Sequence, residues 1–202
     1  MKLRLTTIIA ALSVIFSSAV AHAEAVVGSP APDFTAQTAT GKTIKLSQYK
    51  GKIVVLEWHN PGCPFVKKFY NVGQMQSYQT AAKDKGVVWL TVNSGAEGKQ
   101  GYVDATAATA YVAEQKASPA EYLLDSAGMI GKLYGAKTTP HMFVIDTTGM
   151  VAYAGAIDSD ASANSDAIAG ATNYVNAAIE ALMAGKTPEP ASTQAYGCSV
   201  KY

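Results

Sequence analysis

Two short, nearly uninterrupted apolar runs constrain this chain more than anything else in it: Ile53-Val54-Val55-Leu56-Glu57-Trp58 and Val87-Val88-Trp89-Leu90-Thr91-Val92. Each has the length of a strand and is dense in β-branched and apolar residues, as a strand covered on both faces requires. Between them, Asn60-Pro61-Gly62 reads as a turn and residues 64–85 as one long helix. Strand, long helix, strand is a βαβ unit, so the two strands should lie parallel with a right-handed crossover.

The rest of the chain fits around that unit. Residues 26–52, with Pro30, Pro32, Gly41 and the run from Lys42 to Leu46, read as an extended arm followed by a short hairpin. A Gly-rich loop over 94–101, an Ala-rich helix over 104–116, a strand over 121–124 and a short helix over 129–134 come next. Met142-Phe143-Val144-Ile145 and Val151-Ala152-Tyr153-Ala154 flank Asp146-Thr147-Thr148-Gly149, a hairpin signal. Ile168, Ala171, Val175, Ala178, Ile179 and Leu182 recur at helical spacing, and Gly185 follows as a stop, so a last helix should pack one face on the sheet. A tail over 185–202 carries the second of two cysteines, Cys198.

Residues 1–23 read as a cleaved secretory signal. Lys2 and Arg4 precede an apolar stretch from Ile8 to Phe16, and Ala21-His22-Ala23 supplies a small-x-small cleavage site. Its removal leaves 14 lysines against 15 acids and no arginine, because Arg4 is the only one. A nearly neutral product argues against nucleic acid or anionic lipid as a partner. A mechanism built on a bidentate guanidinium is excluded. With 49% hydrophobic and 15% charged residues among 202, the composition also excludes disorder, collagen and coiled coil.

Chemistry concentrates at Cys63. It falls where a buried strand gives way to a helix, with Pro64 suited to the first helical position. Unpaired amides and the positive end of the helix dipole favour thiolate there, and Lys67 and Lys68, one turn on, add positive potential.

In order along the chain stand Gly28-Ser29-Pro30-Ala31-Pro32-Asp33-Phe34, the run from Gly51 to Trp58, Cys63-Pro64-Phe65, and Gly135-Ala136-Lys137-Thr138-Thr139-Pro140. This set resembles the peroxiredoxin-like (AhpC/TSA, redoxin) branch of the thioredoxin superfamily over residues 26–184. The resemblance implies an α/β thioredoxin-like fold: a central mixed β-sheet flanked by helices, an N-terminal extension, and an insertion after the second core strand. It also implies that Thr139 and Pro140 form a cis-proline site beside the active cysteine, offering backbone hydrogen bonds to substrate.

The chain departs from that pattern in ways that bear on activity. Val66 stands where thioredoxins have their second cysteine, so dithiol exchange cannot occur within the motif. Asn60 replaces the peroxiredoxin Thr or Ser three residues before the cysteine, and Leu56 the proline seven before it. A peroxide-cleaving site would have to draw donors from Asn60, Lys67, Lys68 and backbone amides.

Cys198 then has two readings. It is a resolving thiol on a mobile tail, condensing with an oxidised Cys63, or one end of a permanent staple worth about 4 to 5 kcal/mol. His59 and His141 raise a different class, a copper site resembling the Sco-type chaperones with Cys63, although Lys67 stands where that family has its second cysteine. Glu57 is a candidate proton relay, or a strand residue at a partly solvated edge.

The expectation is an exported thiol oxidoreductase, secreted, or periplasmic in a Gram-negative source. Cys63, Cys198, Thr139, Pro140, Lys67 and Asn60 are its site, and neither cofactor nor metal is called for. Its expected partners are a thiol, disulfide or peroxide substrate and a thiol reductant, without nucleic acid and without a membrane once the signal is cleaved.

Overall fold

The computed structural model describes residues 24–202; the signal expected at residues 1–23 lies outside them. Strands are β1 (Thr35–Thr38), β2 (Thr43–Lys45), β3 (Val54–Trp58), β4 (Val88–Asn93), β5 (Glu121–Leu124), β6 (Thr138–Thr139), β7 (His141–Ile145), β8 (Val151–Gly155) and β9 (Cys198–Ser199). Helices are α1 (Pro64–Tyr70), α2 (Gln74–Asp84), α3 (Ala105–Glu114), α4 (Met129–Tyr134) and α5 (Tyr174–Met183). Seven strands form one mixed sheet in the order β2-β1-β5-β4-β3-β7-β8, and β6 and β9 form a separate two-stranded ladder. As the βαβ reading requires, β3 and β4 are parallel, with Val54 opposite Val88 and Trp58 opposite Val92.

Strand alternation divides the core in two. Val54, Leu56, Trp58, Leu90, Val92, Phe143 and Ile145 face one side, where α4 contributes Ile130 and Tyr134. Val55, Trp89, Met142 and Val144 face the other, where α1, α2 and α5 contribute Phe69, Met75 and Val175. Both faces of β3, β4 and β7 are thereby covered, which is why their sequences read as continuous apolar runs. The hairpin between β7 and β8 turns on Asp146, whose Oδ1 accepts from the Thr148 amide at 2.8 Å and the Met150 amide at 2.9 Å.

Two helical expectations are corrected. The helix expected over 64–85 is two helices, broken where Gly73 adopts φ +75°; that left-handed conformation suits glycine and ends a helical run. The last helix starts at Tyr174, capped by Asn173 Oδ1 accepting from the Asn176 amide at 2.8 Å. Ile168 instead lies in a 3-10 turn, Ser165–Gly170. Its side chain still packs on the α5 face of the core, so the apolar spacing persists where the helix does not.

Candidate functional site

The loop from β3 to α1 is held by its own polar groups. The His59 amide donates to the Val92 carbonyl at 2.8 Å, extending the β3–β4 ladder by one residue. Asn60 Oδ1 accepts from the Gly62 amide at 2.8 Å, and the Cys63 amide donates to the Asn60 carbonyl at 3.1 Å. Asn60 Nδ2 donates to Gln100 Oε1 at 3.0 Å, fastening the loop to the insertion that follows β4. Asn60 therefore shapes the turn that presents Cys63. Cys63 caps α1 with an extended backbone, Pro64 follows it, and the Cys63 carbonyl accepts from the Lys67 amide at 2.9 Å.

The cysteine meets the other side of the site at β6. The Thr139–Pro140 peptide is cis, as the resemblance implied. The Cys63 thiol donates to the Thr139 carbonyl at 3.1 Å. β9 pairs antiparallel with β6, Cys198 opposite Thr139 and Ser199 opposite Thr138, so the tail brings the second cysteine against the residue on which the Cys63 thiol rests. Both cysteines are free thiols. The tail is docked as a strand, and the two cysteines are not bonded to each other.

Burial pushes the Cys63 thiol up, but hydrogen bonds from the Cys198 and Thr139 side chains and from the Cys198 and Val66 amides outweigh it and hold Cys63 below its ordinary value. Cys198 moves the opposite way, up to about 11, through burial, its hydrogen bond to Cys63 and repulsion from that sulfur's charge. The two shifts favour ionisation at Cys63 over Cys198.

The two lysines expected to act together do not. Lys67 is exposed. Lys68 is buried, its Nζ donating to the Asp160 carbonyl at 2.7 Å and paired with the Asp158 and Asp160 carboxylates at 3.4 and 3.2 Å. Its charge is consumed locally and offers Cys63 little potential. Asp158 also accepts a hydrogen bond from Tyr196 Oη, and Tyr196 packs on Phe65 with ring centroids 5.9 Å apart. Asp158, Asp160, Tyr196 and Gln100 all support the site, and sequence reasoning missed them. The one readable signal was Tyr196-Gly197 before the cysteine, a glycine where a close backbone approach would need it.

His59 and His141 separate to opposite faces of the sheet. His59 Nδ1 bonds Tyr122 Oη at 2.8 Å, its ring lies among Tyr70, Tyr111 and Tyr122, and burial lowers its pKa to about 3. His141 stacks on Phe143, accepts from the Lys137 amide at 3.3 Å, and is lowered to about 4 by burial and the Lys137 charge. Among the described residues no three His, Cys, Asp or Glu side chains group as metal ligands, so the copper site set out above is not formed by Cys63, His59 and His141. Period-two alternation accounts for this: His141 sits opposite Trp58, and His59 is one residue further along.

Glu57 is not at a solvated edge. It is fully buried, with Tyr70, Gln79, Trp89 and Thr91 donating to its carboxylate at 2.9, 3.4, 2.8 and 3.2 Å. Burial raises its pKa, and those four donors oppose the rise.

A cysteine capping the helix after a central strand, opposite a cis-proline leading into the antiparallel neighbour β7, defines a thioredoxin-like redox protein of the redoxin kind. The chain belongs to the AhpC/TSA family, whose model matches residues 27–154. No curated protein sequence matches it. Among solved structures, it is similar to a hypothetical protein from Sinorhizobium meliloti 1021, with 20% identity over 89% of this chain and 96% of that one and a TM-score of 0.75. An uncharacterized conserved protein from Geobacillus kaustophilus shares 22% identity over 88% and 92%, with a TM-score of 0.72. A putative thiol:disulfide interchange protein DsbE from Chlorobium tepidum shares 28% identity over 63% and 83%, with a TM-score of 0.50.

Proposed function

We propose that this protein exchanges thiols and disulfides through Cys63 and Cys198 as a nucleophile and resolving pair. The Cys63 thiolate attacks a substrate disulfide, forming a mixed disulfide and releasing one substrate thiolate. Cys198 then loses its proton and attacks the Cys63 sulfur, releasing the second substrate thiolate. Two electrons pass from the protein dithiol to the substrate, leaving a Cys63–Cys198 disulfide for an external thiol donor to reduce. The supporting observation is geometric: β9 seats the free thiol Cys198 opposite Thr139, whose carbonyl accepts from the free Cys63 thiol, and the two thiols' ionisation is shifted in opposite directions. The Chlorobium neighbour, named for thiol:disulfide interchange, points the same way. Asn60 and Thr139 act as positioning residues, and Lys67, exposed beside the site, is available to an incoming substrate.

Peroxide is the second substrate class the family suggests. With no arginine in residues 24–202 and Asn60 engaged by Gly62 and Gln100, the groups left to polarise a peroxide are few. We place disulfide exchange first on that ground. Reading residues 1–23 as an export signal, we assign the work to the space outside the cytoplasm, where substrate disulfides persist.

Turnover of oxidised glutathione with dithiothreitol as donor tests the reading. Cys63→Ser should abolish it, and Cys198→Ser should slow it at least tenfold while a mixed disulfide accumulates on Cys63. The Cys63–Cys198 couple should be more oxidising than about −300 mV, the range of structural bonds. Wild-type turnover in Cys198→Ser would return Cys198 to a structural role.

A further inference from the structure

Cys63 has no exposed surface, although it sits in a loop at the end of the sheet. The tail covers it. Ala191 and Thr193 bond to Ala154 at 3.2 and 3.1 Å along the open edge of β8. Tyr196 is fixed to Asp158, and β9 pairs with β6. The Val200 amide then donates to the Lys137 carbonyl at 3.0 Å, and the Ala96 amide to the Lys201 carbonyl at 2.7 Å. Tyr202 closes the run, its hydroxyl donating to the Ala136 carbonyl at 2.6 Å.

The strand added in this way is antiparallel, short, carries a cysteine, and seats that cysteine opposite Thr139. A polypeptide presenting a cysteine to Cys63 by strand addition would need the same edge and the same pairing. Thr138 and Thr139 can pair with one strand on that side, so tail and substrate exclude each other. We propose that residues 196–202 form an intramolecular substrate-like strand that closes Cys63, and that substrates gain the site only after this strand lifts from β6. Tyr196 and Tyr202 are the anchors at its two ends, and its return after substrate binding delivers Cys198 for resolution. This last step rests on the exchange reaction proposed above; closure of the site does not.

Gly197 supplies the means of testing it. At φ +127° its Cα approaches so closely that an added Cβ would lie 2.1 Å from the Thr139 carbonyl oxygen. Gly197→Val therefore prevents docking without altering either sulfur. The experiment compares Cys198→Ser with Cys198→Ser/Gly197→Val, each reduced and reacted with iodoacetamide across pH. The plateau rate constant at high pH measures access independently of ionisation. We expect it to rise at least tenfold in the double variant. A synthetic peptide of residues 195–202 with serine at position 198 should then slow the double variant's Cys63 and leave the single variant unchanged. Plateaus within twofold of each other would overturn the proposal. Should Gly197→Val fail to fold, judged by circular dichroism, Tyr202→Ala in the same background frees the far anchor and should raise the plateau at least threefold; no rise would overturn it equally. Oxidised glutathione separates this proposal from the reaction it serves. A double variant that alkylates fast yet forms no mixed disulfide defeats the exchange reaction and leaves the closure standing.

Discussion

At Cys63 desolvation and hydrogen bonding oppose each other, and the donors that decide the outcome come mainly from outside its own helix. α1 has only seven residues, so a helix terminus supplies one amide, from Val66, while Cys198 and Thr139 supply the rest. The alkylation midpoint of Cys63 should therefore lie below the free-thiol value of about 8.5 and move upward in Cys198→Ala, which removes a side-chain donor. A midpoint unchanged by that substitution would return the credit to the helix. His59 carries a separate pH signature. Its folded pKa of about 3 lies below its ordinary 6.5, so the unfolded chain takes up the proton first. Its contribution is intact above pH 6.5 and is lost as pH falls toward 3. Relative to His59→Gln, the wild type should lose about 1.4 kcal/mol of stability per pH unit between 6 and 4. Urea midpoints over that range read the difference directly; a constant gap would mean that His59 is not held neutral.

At the scale of elements, adjacent residues of α1 do unlike work. Lys67 and Lys68 look equivalent in sequence, but only Lys68 projects into the buried cluster with Asp158 and Asp160. Lys68→Ala leaves Asp158 buried without its cation and should cost about 3 to 5 kcal/mol. Lys67→Ala should stay within about 0.5 kcal/mol. Chemical denaturation distinguishes them, and equal effects would contradict the assignment. Glu57 shows the same limit on sequence reading. Its place in an apolar strand was visible, but its donors come from α1, α2 and β4, 13 to 34 residues away. What periodicity conveyed well was β3, β4 and the β7–β8 hairpin, where local pattern and burial agree. It failed at Gly73 and Ile168, where apolar residues keep their spacing while the backbone changes conformation.

For the whole molecule, the fold and the pairing of Cys63 with a cis-proline were legible because they sit in contiguous motifs. The position of Cys198 was not, since it depends on the tail from Ala191 onward finding the edges of β8 and β6 together. Whether that long-range meeting carries out exchange is read by a single-turnover experiment. Fully reduced protein is mixed with one equivalent of oxidised glutathione, quenched in acid at intervals and mapped by mass spectrometry. We expect a transient glutathione adduct on Cys63 alone, giving way to a Cys63–Cys198 disulfide and two glutathione molecules, and in Cys198→Ser an adduct on Cys63 that persists. A first adduct on Cys198, or an adduct on Cys63 that persists in the wild type with no bond to Cys198, would contradict it.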